Sequence, residues 1–159
     1  MPIIVDTRFS SVAARISFQR GLIRSLKGYC VVKENVRVNG SLLDLLLQRD
    51  KKKFFLEIKC VTHVADKVAM FPDAPTERGR KHVNTLIRLV EQGYDSGILF
   101  SVQRPDAEKI RPYREIDPMF EQILQEAVEK GVKVFTEMLV FKPSGVVELK
   151  TDFPPFSFT

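Results

Sequence analysis

The stretch FFLEIKCVT, residues 54–62, decides the fold class. Read as a β-strand, it alternates Leu56, Ile58 and Cys60 on one face with Glu57 and Lys59 on the other. An acid and a base side by side on an otherwise apolar strand suit either a solvated edge or a reaction centre. A solvated ion pair would contribute only about 0–1 kcal/mol, so the pattern is more informative as chemistry than as stability.

Working back from this strand, YCVVKENVRVNGSLLDLLLQ, residues 29–48, carries Asn39-Gly40, the strongest short hairpin signal. A two-residue loop there pairs Val38 with Ser41 and so sets Asn35 opposite Asp44, with Glu34 directed to the other face. QRDKKK, residues 48–53, makes a second turn, which gives three consecutive antiparallel strands. Ahead of them a helix is expected from Ser10 or Ser11 to Lys27, stopped by Gly28, with Val12, Ile16, Ile23 and Leu26 as its apolar stripe. Both cysteines fall in expected strands and read as small buried hydrophobes.

Working forward, residues 76–93 form an amphipathic helix with Val83, Leu86, Ile87 and Val90 at helical spacing. Asp73 is its expected N-cap, Pro75 lies in the first turn, and Gly93 ends it. SGILFSVQ, residues 96–103, is apolar on both faces and suits a buried strand. A further helix over 116–130 leads through Gly131 to the strand VKVFTEMLVF, and a short strand covers 146–149. The fold class is therefore α/β, a mixed sheet with flanking helices, expected as a single domain over 1–159.

Two carboxylates and a lysine on rigid strands suit a specific task. Asp44 and Glu57, with the backbone carbonyl of Ile58, offer oxygen ligands to a hard cation, Mg²⁺ or Mn²⁺. Such an ion polarises a phosphoryl oxygen, and Lys59 can hold or deprotonate water and offset charge on the phosphate. Asp44 and Glu57 are separated by 12 residues, with Lys59 two beyond. That spacing, split over two strands of a hairpin, is that of the PD-(D/E)xK restriction-endonuclease-like core.

FPDAPTERGRKH, residues 71–82, crowds Thr76, Glu77, Arg78, Lys81 and His82 onto a helix start, a good anion site. Glu77 can extend a metal shell; Arg78, Lys81 or His82 can bind phosphate. The bland alternative is a solvated helix start, with His82 a packing residue. Residues 7–33 hold Arg15, Arg20 and Arg24 among six cations and no acid, although the net charge is only +5. That asymmetry attracts a polyanion or is merely a solvated face.

Motifs for nucleotide-binding loops, zincin sites and serine-hydrolase elbows are missing from the sequence. No apolar run is long enough for a membrane helix, and MPIIVDTRFS lacks a basic segment ahead of an apolar core, so no leader is expected and the expected compartment is the cytoplasm. The tail TDFPPFSFT is expected to pack over the core or a neighbouring subunit, which makes a homodimer one expectation.

SLLDLLLQ, FFLEIKCVT and MFPDAPTERGRKHVNTLI together resemble the signature of the sugar fermentation stimulation protein A (SfsA) family, and the resemblance extends over residues 5–149. It implies a nuclease-like α/β domain with Asp44, Glu57 and Lys59 on its motif, DNA as partner, and a link to regulation of sugar use. It also implies an OB-like domain in front, which is expected to be absent here because only a few residues precede Val5. At Cys60 the family usually has serine. The resulting expectation is a Mg²⁺- or Mn²⁺-dependent nuclease; the alternative is a DNA-binding protein that keeps the nuclease fold without cutting.

Overall fold

The computed structural model describes residues 7–159, with side chains from Val12 onward. The leader expectation for residues 1–6 falls outside them. The chain runs α1 (Thr7–Gln19), a 3₁₀ turn (Arg24–Leu26), β1 (Cys30–Val38), β2 (Ser41–Arg49), β3 (Lys52–Val61), β4 (His63–Ala65), β5 (Val68–Phe71), α2 (Glu77–Glu91), β6 (Asp95–Val102), β7 (Lys109–Pro112), α3 (Pro118–Lys130), β8 (Lys133–Phe141) and β9 (Val147–Thr151).

Six strands form one sheet in the order β1-β2-β3-β6-β8-β9. Its centre, β3-β6-β8, is parallel, and the flanking pairs are antiparallel. The expected mixed sheet is thus the one formed. The hairpin turn is as the dipeptide dictates: Asn39 and Gly40 take φ of 48° and 78°, and Val38 pairs with Ser41.

Each face of the sheet has its own core. On one, α1 sets Ala14 and Phe18 against Leu56, Ile58, Leu99 and Phe135. On the other, α2 and α3 set Leu86, Leu89, Phe120 and Leu124 against Phe55, Ile98, Phe100 and Val102. The tail folds onto this second core: Phe156 stacks on Phe100 at 5.7 Å, and Phe158 meets Phe156 edge-on at 5.1 Å.

The structure corrects the sequence reading in four places. Helix α1 begins at Thr7, ahead of Ser10 and Ser11, and stops at Gln19 instead of reaching Lys27. Gly21 (φ 63°) ends it: Gly21 N–H donates to Phe18 O and Leu22 N–H to Ser17 O, the paired bonds of a Schellman cap. The stripe is rotated as well. Val12 and Ile16 are 42% and 38% exposed, and Ala14, Ser17 and Phe18 are buried in their place. The cap of α2 is Thr76, whose Oγ1 accepts Gly79 N–H at 2.9 Å; Asp73 and Pro75 lie outside the helix. The cysteines are not buried hydrophobes: Cys30 opens an exposed edge strand and Cys60 is half-buried.

A second sheet, β4-β5-β7, escaped the sequence reading altogether. Its strands are three or four residues long, and the β4–β5 turn uses Asp66 and Lys67 at φ 49° and 64°, left-handed positions held without glycine.

Candidate active site

The site forms where the hairpin peels away from β3. Pairing of β2 with β3 runs from Arg49–Lys52 to Leu45–Leu56 and stops there. Asp44, the next residue on β2, substitutes its side chain for the ladder: its Oδ2 accepts Ile58 N–H at 2.7 Å. On β1, Asn35 takes a left-handed φ of 53° between the Glu34–Leu45 and Val36–Leu43 pairs, so the hairpin is irregular at this level. Beyond it, the hairpin tip docks on α2 through Ser41 Oγ and Thr85 Oγ1, 2.7 Å apart.

Glu57 lies beside Asp44, and Lys59 and His82 gather on Glu57. Glu57 is 4% exposed, and its Oε1 accepts Lys59 Nζ at 3.1 Å. His82, on α2, places Nδ1 3.1 Å from that same Oε1 and 3.0 Å from Lys59 Nζ. An Nδ1 without a proton accepts from Lys59; a protonated Nδ1 donates to Glu57. Glu57 Oε2 is buried without a hydrogen-bond donor.

The two carboxyls titrate apart. Burial, and then the charge of Glu57, push Asp44 up to about 7. Burial also opposes the charge on Glu57, but the hydrogen bond from His82 and the charge of Lys59 outweigh it and hold Glu57 below its usual value. The pair therefore holds one proton up to about neutrality, as two neighbouring buried carboxyls do when the charge of one opposes ionisation of the other.

The other expected site residues are dispersed. Thr76 serves as the α2 cap, and its N–H donates to Asp117 Oδ2 at 2.9 Å. Glu77, Arg78 and Lys81 are exposed on α2. Arg15, Arg20 and Arg24 belong to α1 and the turn after it, across the sheet from His82; Arg15 Nε pairs with Glu34 Oε1 at 3.3 Å. The structure thus joins Asp44, Glu57, Lys59 and His82, and sets the three arginines apart from them.

Two buried acids went unnoticed in the sequence. Asp117 caps α3 by accepting Phe120 N–H, accepts Thr76 N–H, and takes Arg80 Nη1 on both oxygens at 2.9 and 2.8 Å. One carboxylate thereby ties the starts of α2 and α3. Its signal was Asp-Pro at 117–118, a cap followed by proline at the first helical position. Glu137, fully buried in β8, accepts Ser101 Oγ at 2.8 Å; burial pushes its carboxyl up to about 7. Its signal was a lone acid in VKVFTEMLVF.

These two raised carboxyls set a pH dependence. In the unfolded chain Asp44 and Glu137 lose their protons near pH 4; in the folded protein they hold them to about 7. Folding binds protons between those values, so stability falls as pH rises through about 4 to 7. Glu57 and Asp117, both held low, contribute stability that is present above the unfolded value near 4 and lost only at more acid pH, so they do not oppose this trend. Thermal melts in chelator should give a lower Tm at pH 8 than at pH 5.5, and Glu137→Gln should shrink the difference. An identical pH dependence in Glu137→Gln would contradict its assignment.

Comparison with known proteins follows from this geometry. Residues 8–145 match the family model described as "Sugar fermentation stimulation protein RE domain". The sugar fermentation stimulation protein homolog of Caldanaerobacter subterraneus subsp. tengcongensis is 38% identical over 133 residues, 84% of this chain and 58% of its own length. That of Thioalkalivibrio sulfidiphilus is 37% identical over 146 residues, covering 90% of this chain and 62% of its own. The chain thus spans about three fifths of the length of these relatives. A solved structure, "The structure of Pyrococcus Furiosus SfsA in complex with Ca2+", aligns with a TM-score of 0.93 at 31% identity over 98% of this chain and 67% of that one. Among the described residues no helix is long and apolar enough to cross a membrane.

Proposed function

The chain belongs to the sugar fermentation stimulation protein family, and from that premise we propose that it is a nuclease of the PD-(D/E)xK type, hydrolysing phosphodiester bonds in nucleic acid, DNA first, with a Mg²⁺- or Mn²⁺-class cation. The observation that carries this reading is the Asp44–Glu57–Lys59 group: two carboxyls sharing one proton, with Lys59 Nζ 3.1 Å from Glu57.

The residues present fit such a cation. Glu57 Oε2 is a buried acceptor left unpaired, beside a second carboxyl whose ionisation is suppressed by burial and by the charge of Glu57. Among the described residues no three His, Cys, Asp or Glu side chains converge as ligands. The protein would therefore supply Asp44, Glu57 and the Ile58 carbonyl, leaving the remaining positions to water and substrate, as magnesium sites commonly do. The donor set is all oxygen, which suits a hard cation, and the Pyrococcus furiosus relative was solved with Ca²⁺. When bound, the cation supplies charge that polarises the phosphoryl group and eases deprotonation of water.

The chain's own groups do the positioning. Lys59 extends beside Glu57, where its ammonium can orient the attacking water and offset negative charge building on the phosphate. As water adds to phosphorus and the bond to the leaving oxygen breaks, one proton leaves the water and one joins the leaving oxygen. His82, held against both Glu57 and Lys59, fixes their orientation from the α2 side. Buried Glu57 keeps its charge because Lys59 and His82 neutralise it.

The test is direct. The purified chain, incubated with labelled single- and double-stranded DNA, should cut in Mn²⁺ or Mg²⁺ and stop when chelator is added. DNA that stays intact across both cations and both substrates would sink the reading.

A further inference from the structure

A groove of about 330 Å³ opens between α2, α3 and the β1–β2 turn, and no part of the proposed chemistry uses it. We propose that it holds one nucleotide unit of the substrate strand, an inference that rests on the nuclease reading. Its size is at the lower end of small-ligand sites, suited to one nucleotide and not to a duplex.

The wall chemistry is divided in a way that matches a nucleotide. Along α2, Lys81, Asn84 and Arg88 are all exposed toward it, spaced at helical intervals. Neither Lys81 nor Arg88 makes an ion pair among the described residues. Arg80, by contrast, is committed to Asp117. Two unneutralised cations in one groove attract a phosphate. Across from them α3 offers apolar surface: Met119, 53% exposed, and Ile123. An exposed methionine beside cations suits the flat face of a base better than solvent.

The polar edge is open too. Asn39, at the hairpin turn, lines the groove and donates its Nδ2 to Gln92 Oε1 at 3.2 Å, which commits the amide nitrogen and leaves the carbonyl oxygen as an acceptor. Asn84 adds an amide on the helix side. The one acid lining the groove, Glu77, sits a full turn before Lys81; it biases the phosphate toward the Lys81–Arg88 stretch.

The groove adjoins the centre. Lys81 immediately precedes His82, so successive residues of one helical turn serve the two places. Thr85 lines the groove and bonds Ser41, which lies on β2 three residues before Asp44. A strand whose scissile phosphate reaches Asp44 and Glu57 would pass a neighbouring nucleotide along this wall.

The experiment is fluorescence anisotropy of a labelled single-stranded deoxyoligonucleotide with the full chain in chelator, over a range of salt, with AMP as competitor. Lys81→Ala and Arg88→Ala should each weaken binding about three- to tenfold and reduce the salt slope by about one unit. Lys142→Ala, on the β8–β9 turn at the other edge of the sheet, should leave both unchanged. AMP should compete only weakly. If wild type binds and both α2 variants bind equally well, the groove assignment falls while the nuclease reading stands. If AMP binds more tightly than the oligonucleotide and is lost in Arg88→Ala, the site takes free nucleotide and the strand assignment falls. Wild type that neither binds nor cuts overturns both.

Discussion

Lys59→Ala should slow DNA cleavage by about a thousandfold, the usual loss when a group that stabilises transition-state charge or handles the proton is removed. The reasoning is positional. Lys59 is the one cation held by β3 against the carboxyl pair, its Nζ 3.1 Å from Glu57 Oε1 and 3.0 Å from His82 Nδ1. Without it, Glu57 still has His82 at 3.1 Å, so the fold should survive, and the far-ultraviolet circular dichroism should match wild type. With the dichroism unchanged, loss of cleavage would report chemistry and not unfolding. Cleavage at the wild-type rate would remove Lys59 from the mechanism.

Asp117→Ala carries the largest expected effect on stability, a loss of about 3–5 kcal/mol. Asp117 is 2% exposed, and truncating it strands Arg80 with its charge uncompensated. It also leaves the N–H of Thr76 and of Phe120 without their acceptor, and a lost cap alone costs about 1 kcal/mol. The fall in Tm should be on the order of 10 °C for a domain of this size. Asp117→Asn should lose less, since an amide oxygen still caps α3. The double variant Arg80→Ala with Asp117→Ala should cost less than the two single losses added, because they break one interaction. A fall of under about 1 kcal/mol in Asp117→Ala would mean that the link between α2 and α3 is not needed.

These expectations differ in how far the sequence foreshadows them. The catalytic candidates were legible from two turns: Asn39-Gly40 sets Val38 against Ser41 on β1–β2, and the turn within residues 48–53 sets Arg49 against Lys52 on β2–β3, a register that carries Asp44 toward Glu57. The burial of β6 on both faces was legible from its unbroken apolar run, whereas the parallel pairing of β3, β6 and β8 was not specified by it. His82 was seen as a candidate but given to phosphate, since nothing in a helix pattern shows that the sixth residue after the Thr76 cap would face a carboxylate on β3. The end of α1 was misplaced because two glycines competed for one cap, and Gly21 won by satisfying the Phe18 and Ser17 carbonyls. Its buried face was misplaced because Ser17 satisfies its hydroxyl on the Ala13 carbonyl one turn back and so can be buried between Ala14 and Phe18, which no hydrophobic stripe predicts. Long-range polar pairs such as Arg80–Asp117, 37 residues apart, leave only local hints in sequence.

The central claim is that Asp44 and Glu57 together hold a divalent cation, and calorimetric titration of Mn²⁺ tests it most directly. Wild type at pH 8, where Asp44 has given up the proton it holds to about 7, should bind Mn²⁺ at one site, more weakly at pH 6, and Asp44→Ala should lose the binding. Wild type that takes up no Mn²⁺, or an Asp44→Ala isotherm that matches wild type, would contradict the account.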